Sequence, residues 1–191
     1  SHSGDSDTAA TDKLVKINAW HAGQVAYILD KLAATTEVGG GTMLDNTVVF
    51  VALSSIQEDL QISTSELQWV VNGYALTFAV LMLSGGKLAD MFGRRRIFIV
   101  GLLIFTAASL ACGLATGAES LIAARIVQGV GAALMNPATL SIITATFPPR
   151  ERGMAIGIWV GVSAMALAIG PLVGGVITEK INWSWIFFIN I

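Results

Sequence analysis

Apolar runs long enough to cross a bilayer, joined by turns too short to hold another domain, constrain this chain more than any other feature. Leu67 to Leu83 and Ile97 to Ala115 carry no charged residue. Wound as helices at about 1.5 Å per residue, each covers most of a hydrocarbon core of about 30 Å. Composition points the same way: 54% of residues are hydrophobic and 13% charged, where soluble domains carry about 25% charge. The predicted fold class is all-α, a polytopic transmembrane helix bundle in the lipid bilayer. A soluble enzyme is excluded, because apolar spans of this length have no aqueous packing solution. No nucleotide-binding glycine loop or nucleophile elbow is present to suggest catalysis.

Four good spans are expected, near 67–88, 97–115, 119–147 and 154–177. Two more are incomplete. Residues 43–57 make a weak span, because Gly39-Gly40-Gly41, Thr42 and Asp45 interrupt its start. Residues 183–191 open an apolar segment of about 13 Å as helix, so a truncated span is expected there. Residues 1–42 form a polar leader in which Leu14, Ile17, His21, Val25, Ile28 and Leu32 recur at helical spacing, predicting one amphipathic helix. Lys87, Arg94, Arg95, Arg96, Arg150 and Arg152 fall in alternate turns, and Glu58, Asp59, Glu66 and Glu119 in the others. Basic turns face the cytoplasm. The expected location is the inner (plasma) membrane, multi-pass.

Several functions have no residues to stand on. There is no basic tract for nucleic acid. Cys112 sits alone in an apolar run, and His2 and His21 lie in the leader, so no metal site is expected and any proton carrier in the apolar part must be a carboxylate.

Three motifs carry chemistry. Gly86-Lys87-Leu88-Ala89-Asp90-Met91-Phe92-Gly93-Arg94-Arg95 joins two spans; its glycines allow a tight turn, and its acid and bases can pair at helix ends. Arg125 stands roughly 9 Å into the next span, where an unpaired charge costs on the order of 2–3 kcal/mol. It must face a polar interior or a partner, or else snorkel to the headgroups. Gln128 and Gly129 follow at i+3 and i+4 on the same helix face. In the last full span, Gly153, Gly157 and Gly161 form one small-residue strip and Ala166, Gly170 and Gly174 another, while Pro171 removes a helical hydrogen bond. Asp45 reads either as a buried carboxylate or as an exposed residue at a frayed helix start.

These motifs, with Leu44-Asp45-Asn46-Thr47-Val48-Val49 and Ala52-Leu53, resemble the major facilitator superfamily, specifically the drug:proton antiporter branch with fourteen helices. The resemblance covers about residues 43–191, most of the N-terminal six-helix half of such a fold. Ala166 stands where the family usually has glycine, Phe50 where it has asparagine and Ser54 where it has proline. The resemblance implies a cytoplasmic gating loop at Gly86, Asp90, Gly93, Arg94 and Arg95. It implies proton coupling by Arg125, Asp45 and Gln128, and an antiporter helix carrying Gly157, Gly170, Pro171 and Gly174. By the same resemblance the implied activity is proton-coupled efflux of drugs or other small organic compounds, with no cofactor and the proton gradient as energy source. The implied partners are protons, the small organic substrate and a C-terminal half of the transporter that this sequence does not include. The 191 residues alone are expected not to transport; a non-transporting membrane fragment, or a half that needs a separately encoded second half, is the alternative reading.

The leader, through His2-x-Gly4-Asp5, Ile17-Asn18-x-Trp20-His21 and Tyr27-Ile28-Leu29-Asp30-Lys31-Leu32, resembles an unrelated family of uncharacterised exported bacterial proteins. That likeness runs on through Leu44-Asp45-Asn46-Thr47-Val48-Val49. The expectation is a chimera, joined at these six residues by recombination or by an assembly error.

Overall fold

A computed structural model describes residues 42–191; the amphipathic helix expected in the leader lies outside the described residues. Six helices follow one another, with no strand among the described residues. They are α1 over residues 42–60, α2 (Thr64–Phe92), α3 (Arg94–Gly113), α4 (Ala118–Thr146), α5 (Arg152–Lys180) and the short α6 (Trp185–Phe188). Helices α2 to α5 are each long and apolar enough to cross a membrane.

The helices differ from the expected spans mainly at their ends. Helix α2 begins earlier because Ser63 caps it: the Ser63 hydroxyl accepts from the Glu66 N–H while the Glu66 carboxylate accepts from the Ser63 N–H, a reciprocal capping box. Helix α3 starts at Arg94 rather than residue 97, so its three arginines form its first turn. Between α2 and α3 stands the single residue Gly93 at φ +96°, a conformation that glycine adopts without steric cost. Over the weak span expected at 43–57, residues 42–60 form one unbroken helix, with Thr42 and Asp45 turned into the bundle.

Helix α4 is the axis of the packing, and both α2 and α3 lie along it. Its small residues permit this. A Cβ on Gly131 would come within 2.6 Å of the Phe105 nitrogen and 2.8 Å of the Gly101 carbonyl on α3, and a Cβ on Gly129 within 2.7 Å of the Tyr74 carbonyl on α2. A Cβ on Gly85 would collide with the Ala133 carbonyl. Close backbone approach of this kind substitutes for a hydrophobic driving force between helices in lipid. Helix α5 leans instead on α1: Gly170 abuts Thr47 and Gly174 abuts Val48. The other strip on α5 is open, since a Cβ on Gly153, Gly157 or Gly161 would meet nothing within 4 Å.

One apolar cluster gathers Val48, Ala52, Ile56, Val70, Leu121, Ile186 and Phe187 from α1, α2, α4 and α6. A second joins Tyr74, Phe105, Ala132 and Met135 from α2, α3 and α4. Many large apolar side chains face outward, Leu83, Leu103 and Leu172 among them, as expected of a surface that meets acyl chains rather than water.

Candidate functional site

Asp45 on α1 lies 80 residues before Arg125 on α4, and the fold closes that separation to a 2.6 Å contact between Asp45 Oδ2 and Arg125 Nη1. Both side chains are withdrawn from solvent, at 0% and 1% exposure. Asp45 is therefore the buried partner, not an exposed residue at a frayed start, and Arg125 does not snorkel. Gln128 completes a triangle: its Oε1 accepts from Arg125 Nη1 at 2.8 Å and its Nε2 donates to Asp45 Oδ1 at 3.1 Å. The i to i+3 spacing on α4 puts guanidinium and carboxamide side by side.

The network reaches two further helical segments through residues that the motifs did not single out. Asn190, just beyond α6, donates to Asp45 Oδ1 at 2.8 Å and to Ser109 Oγ at 3.1 Å. Ser109 on α3 also accepts from Gln128 Nε2 at 3.2 Å and donates to the Phe187 carbonyl at 2.9 Å. The remaining faces of Arg125 meet the Val70 carbonyl at 3.4 Å and the Tyr74 ring, whose centroid lies 4.3 Å from its guanidinium carbon. Cation–π attraction of this type strengthens as water is excluded. Asp45 thus accepts from three side-chain donors, and Arg125 is held by a carboxylate, an amide oxygen, a carbonyl and an aromatic face. A buried ion pair survives desolvation only with such additional bonds. Chemically, the arrangement offers one carboxylate that holds a fixed cation inside the apolar bundle.

At the opposite end of α2 the basic loop is more open. Arg94 Nη2 lies 3.3 Å from Asp90 Oδ1, with side chains 41% and 63% exposed. Arg94 Nη1 also donates to the Ser141 carbonyl of α4 at 3.1 Å, tying the loop to the central helix. Arg95 points outward and is exposed. Gly93 makes the turn, while a Cβ on Gly86 would lie 3.6 Å from the Pro137 side chain; its neighbour Gly85 makes the tight contact. Of the α5 residues, Gly170 and Gly174 pack on α1, Gly157 faces open space, and Pro171 is exposed within an uninterrupted helix. No cluster of three or more metal-ligating side chains occurs among the described residues.

Long apolar helices around a central helix that buries an ion pair define a multi-pass membrane protein of the transporter class, where intramembrane charges are confined to bundle interiors. The chain belongs to the Major Facilitator Superfamily, whose family model matches residues 38–191. That match begins five residues before the start expected at 43 and takes in the six residues proposed as a junction. The chain is 49% identical over 149 residues to an uncharacterized MFS-type transporter of Mycobacterium tuberculosis, covering 78% of this chain and 26% of that one. It is 43% identical to the tetracenomycin C resistance and export protein of Streptomyces glaucescens, covering 78% and 28%. Among solved structures it is similar to a bacterial homolog of the human lysosomal transporter Spinster in its inward-facing, unoccupied conformation, with a TM-score of 0.71, 26% identity and coverage of 84% and 36%. The chain therefore spans about a quarter to a third of the length of these relatives. Members of this family are transporters rather than enzymes, and the chain is a multi-pass cell-membrane protein.

Proposed function

We propose that these helices are the proton-coupled part of an exporter of small organic compounds, belonging to the fourteen-helix drug:proton antiporter branch. The carrying observation is the Asp45–Arg125–Gln128 network, closed at 2.6 Å and 2.8 Å in the bundle interior. Protonating Asp45 removes the charge that holds Arg125, and the guanidinium is then left to Gln128, the Val70 carbonyl and the Tyr74 ring. Exchange of a proton for cargo needs such a two-state element. The proton gradient supplies the energy, and the resistance function of the tetracenomycin C relative supports an organic cargo of that general kind. The loop at Gly86, Asp90, Gly93, Arg94 and Arg95 is assigned the cytoplasmic gate, on the strength of its tie from Arg94 to the central helix. Gly157, Gly170, Pro171 and Gly174 are assigned the antiporter helix, of which Gly170 and Gly174 set the seat of α1 on α5.

Because the chain covers only 26% and 28% of two of these relatives, transport is assigned to these helices together with a C-terminal half. Ethidium efflux from energised cells is the test, comparing the 191 residues alone with the same residues fused to the remaining helices of the tetracenomycin C relative. Uncoupler-sensitive efflux is expected only from the fusion, and Asp45→Asn should abolish it. Efflux from the 191 residues alone would overturn the need for the second half, and coupled efflux surviving Asp45→Asn would overturn the role of the network.

A further inference from the structure

We propose that Asn190 is a positioning residue that confines proton binding on Asp45 to Oδ2, the oxygen that holds Arg125, so that proton and guanidinium compete for a single atom. The proposal deepens the proton-coupled reading and rests on it for its use in transport. The two carboxylate oxygens are unequally occupied. Oδ1 accepts from Gln128 Nε2 at 3.1 Å and from Asn190 Nδ2 at 2.8 Å. Oδ2 accepts, among the described residues, only from Arg125 Nη1, at 2.6 Å. An ionised carboxylate offers about four lone-pair sites, two to an oxygen. Oδ1 is therefore filled, and the remaining site is on Oδ2.

Ser109 fixes which end of the Asn190 carboxamide faces the acid. Its hydroxyl gives its one proton to the Phe187 carbonyl at 2.9 Å, so toward its other neighbours the oxygen can only accept. Those neighbours are Gln128 Nε2 at 3.2 Å and Asn190 Nδ2 at 3.1 Å. Both amides must therefore present NH₂ groups here, and both NH₂ groups reach on to Asp45 Oδ1. Gln128 is anchored on α4 beside Arg125, whereas Asn190 arrives from beyond α6, so the second donor to Oδ1 depends on where that segment sits.

A proton that reaches Asp45 from solvent forms its O–H bond at Oδ2, and Arg125 keeps all of its own protons, so the net charge of the pair rises from zero to plus one. The new hydroxyl oxygen is no longer a charged acceptor for Nη1, and charge-assisted hydrogen bonds are about twice as strong as neutral ones. Without Asn190, Oδ1 would keep an open site. A proton could settle there while Oδ2, now the carbonyl oxygen, went on holding Arg125. Asn190 thus makes protonation and release of the guanidinium one event. Besides Arg125, the titratable groups at the network are Tyr74 of α2, under the guanidinium, and Cys112 of α3, against Gln128. Helix α5 carries its charges only at its ends, α6 has none, and Glu58 and Asp59 lie at the far end of α1.

Solid-state NMR of the whole chain in lipid bilayers tests this, with isotope labels on arginine nitrogen and aspartate carbon. The carboxyl carbon shift, assigned to Asp45 by its disappearance in Asp45→Asn, reports protonation. The nitrogen–carbon dipolar coupling to Arg125 reports contact. In wild type the coupling should be lost as the carboxyl protonates on lowering the pH. In Asn190→Leu, which keeps the bulk and removes the donor, the coupling should be present in the ionised state and persist through protonation. Wild-type coupling that survives protonation would overturn the proposal, and that arm needs no variant to fold. Identical loss in Asn190→Leu and wild type would also overturn it, as would a carboxyl that stays ionised until the bundle unfolds. The expected NMR difference without gradient-driven efflux from the fused transporter supports the competition and removes the export reading. Efflux abolished by Asp45→Asn, with no NMR difference between wild type and Asn190→Leu, does the reverse.

Discussion

Arg125 Nη1 and Asp45 Oδ2 meet at 2.6 Å with both side chains sealed from solvent, joining the central helix to the first helix of the bundle. The pair lies where neither charge could stand alone. Removing one member of a buried pair typically costs about 3–5 kcal/mol, because the other is left uncompensated. Asp45→Asn should therefore melt well below wild type in detergent, and adding Arg125→Gln should restore part of the loss. Equal melting of Asp45→Asn and wild type would show that the pair carries no stability.

Glycines of similar motif standing should behave in opposite ways. Gly131 has α3 backbone atoms within 2.6–2.8 Å of where a Cβ would be, so Gly131→Val forces α3 from α4, with an overpacking cost of about 1–3 kcal/mol. Gly157 has nothing within 4 Å, and Gly157→Ala should leave melting unchanged or raise it by up to about 1 kcal/mol through helix propensity. Melting curves of the two variants side by side decide this; a large loss in Gly157→Ala would mean that another surface seats there.

In the basic loop, the Asp90–Arg94 pair is solvent-exposed, and such pairs contribute about 1 kcal/mol at most. Asp90→Asn should barely change stability. Arg94→Ala should cost more, because it also removes the bond to the Ser141 carbonyl. A ranking with Asp90→Asn as the more damaging change would assign the loop's stability to the acid instead.

At the end of the bundle away from the basic loop, Trp183 Nε1 donates to Asp59 Oδ2 at 2.7 Å while its ring is buried in the apolar cluster. Trp183→Phe keeps most of the packing and loses the bond, an expected cost of about 1–2 kcal/mol. A double-mutant cycle with Asp59→Asn separates the bond from the ring; zero coupling would refute the assignment.

How much of this was legible follows from what kind of signal each residue leaves. Arg125 and Gln128 stand out because a charge and an amide inside an apolar run must be accounted for locally. Asp45 was visible as a candidate, but its burial depends on a partner 80 residues away, which no local pattern reveals. Ser109 and Asn190 left almost no trace, since a single hydroxyl or amide in an apolar stretch is tolerated without a partner being implied. Gly85 shows the limit differently. It adjoins Gly86, and helix rotation of about 100° per residue decides which of the two meets α4; spacing within one helix cannot say where the neighbour lies. The long spans were readable because hydrophobicity is additive along a helix, whereas α1 reads only as a weak span because its polar residues are balanced by other helices.

The separation of Asp45 from Arg125 also imposes an order of events on synthesis. At about 5–20 residues per second, 80 residues take roughly 4–16 s to make. For that interval the newborn α1 holds an acid whose counter-charge has not yet been translated. Its guanidinium partner on α4 is made only after that interval. The contact that ties α1 to α4 can therefore close only once the later helix has been made.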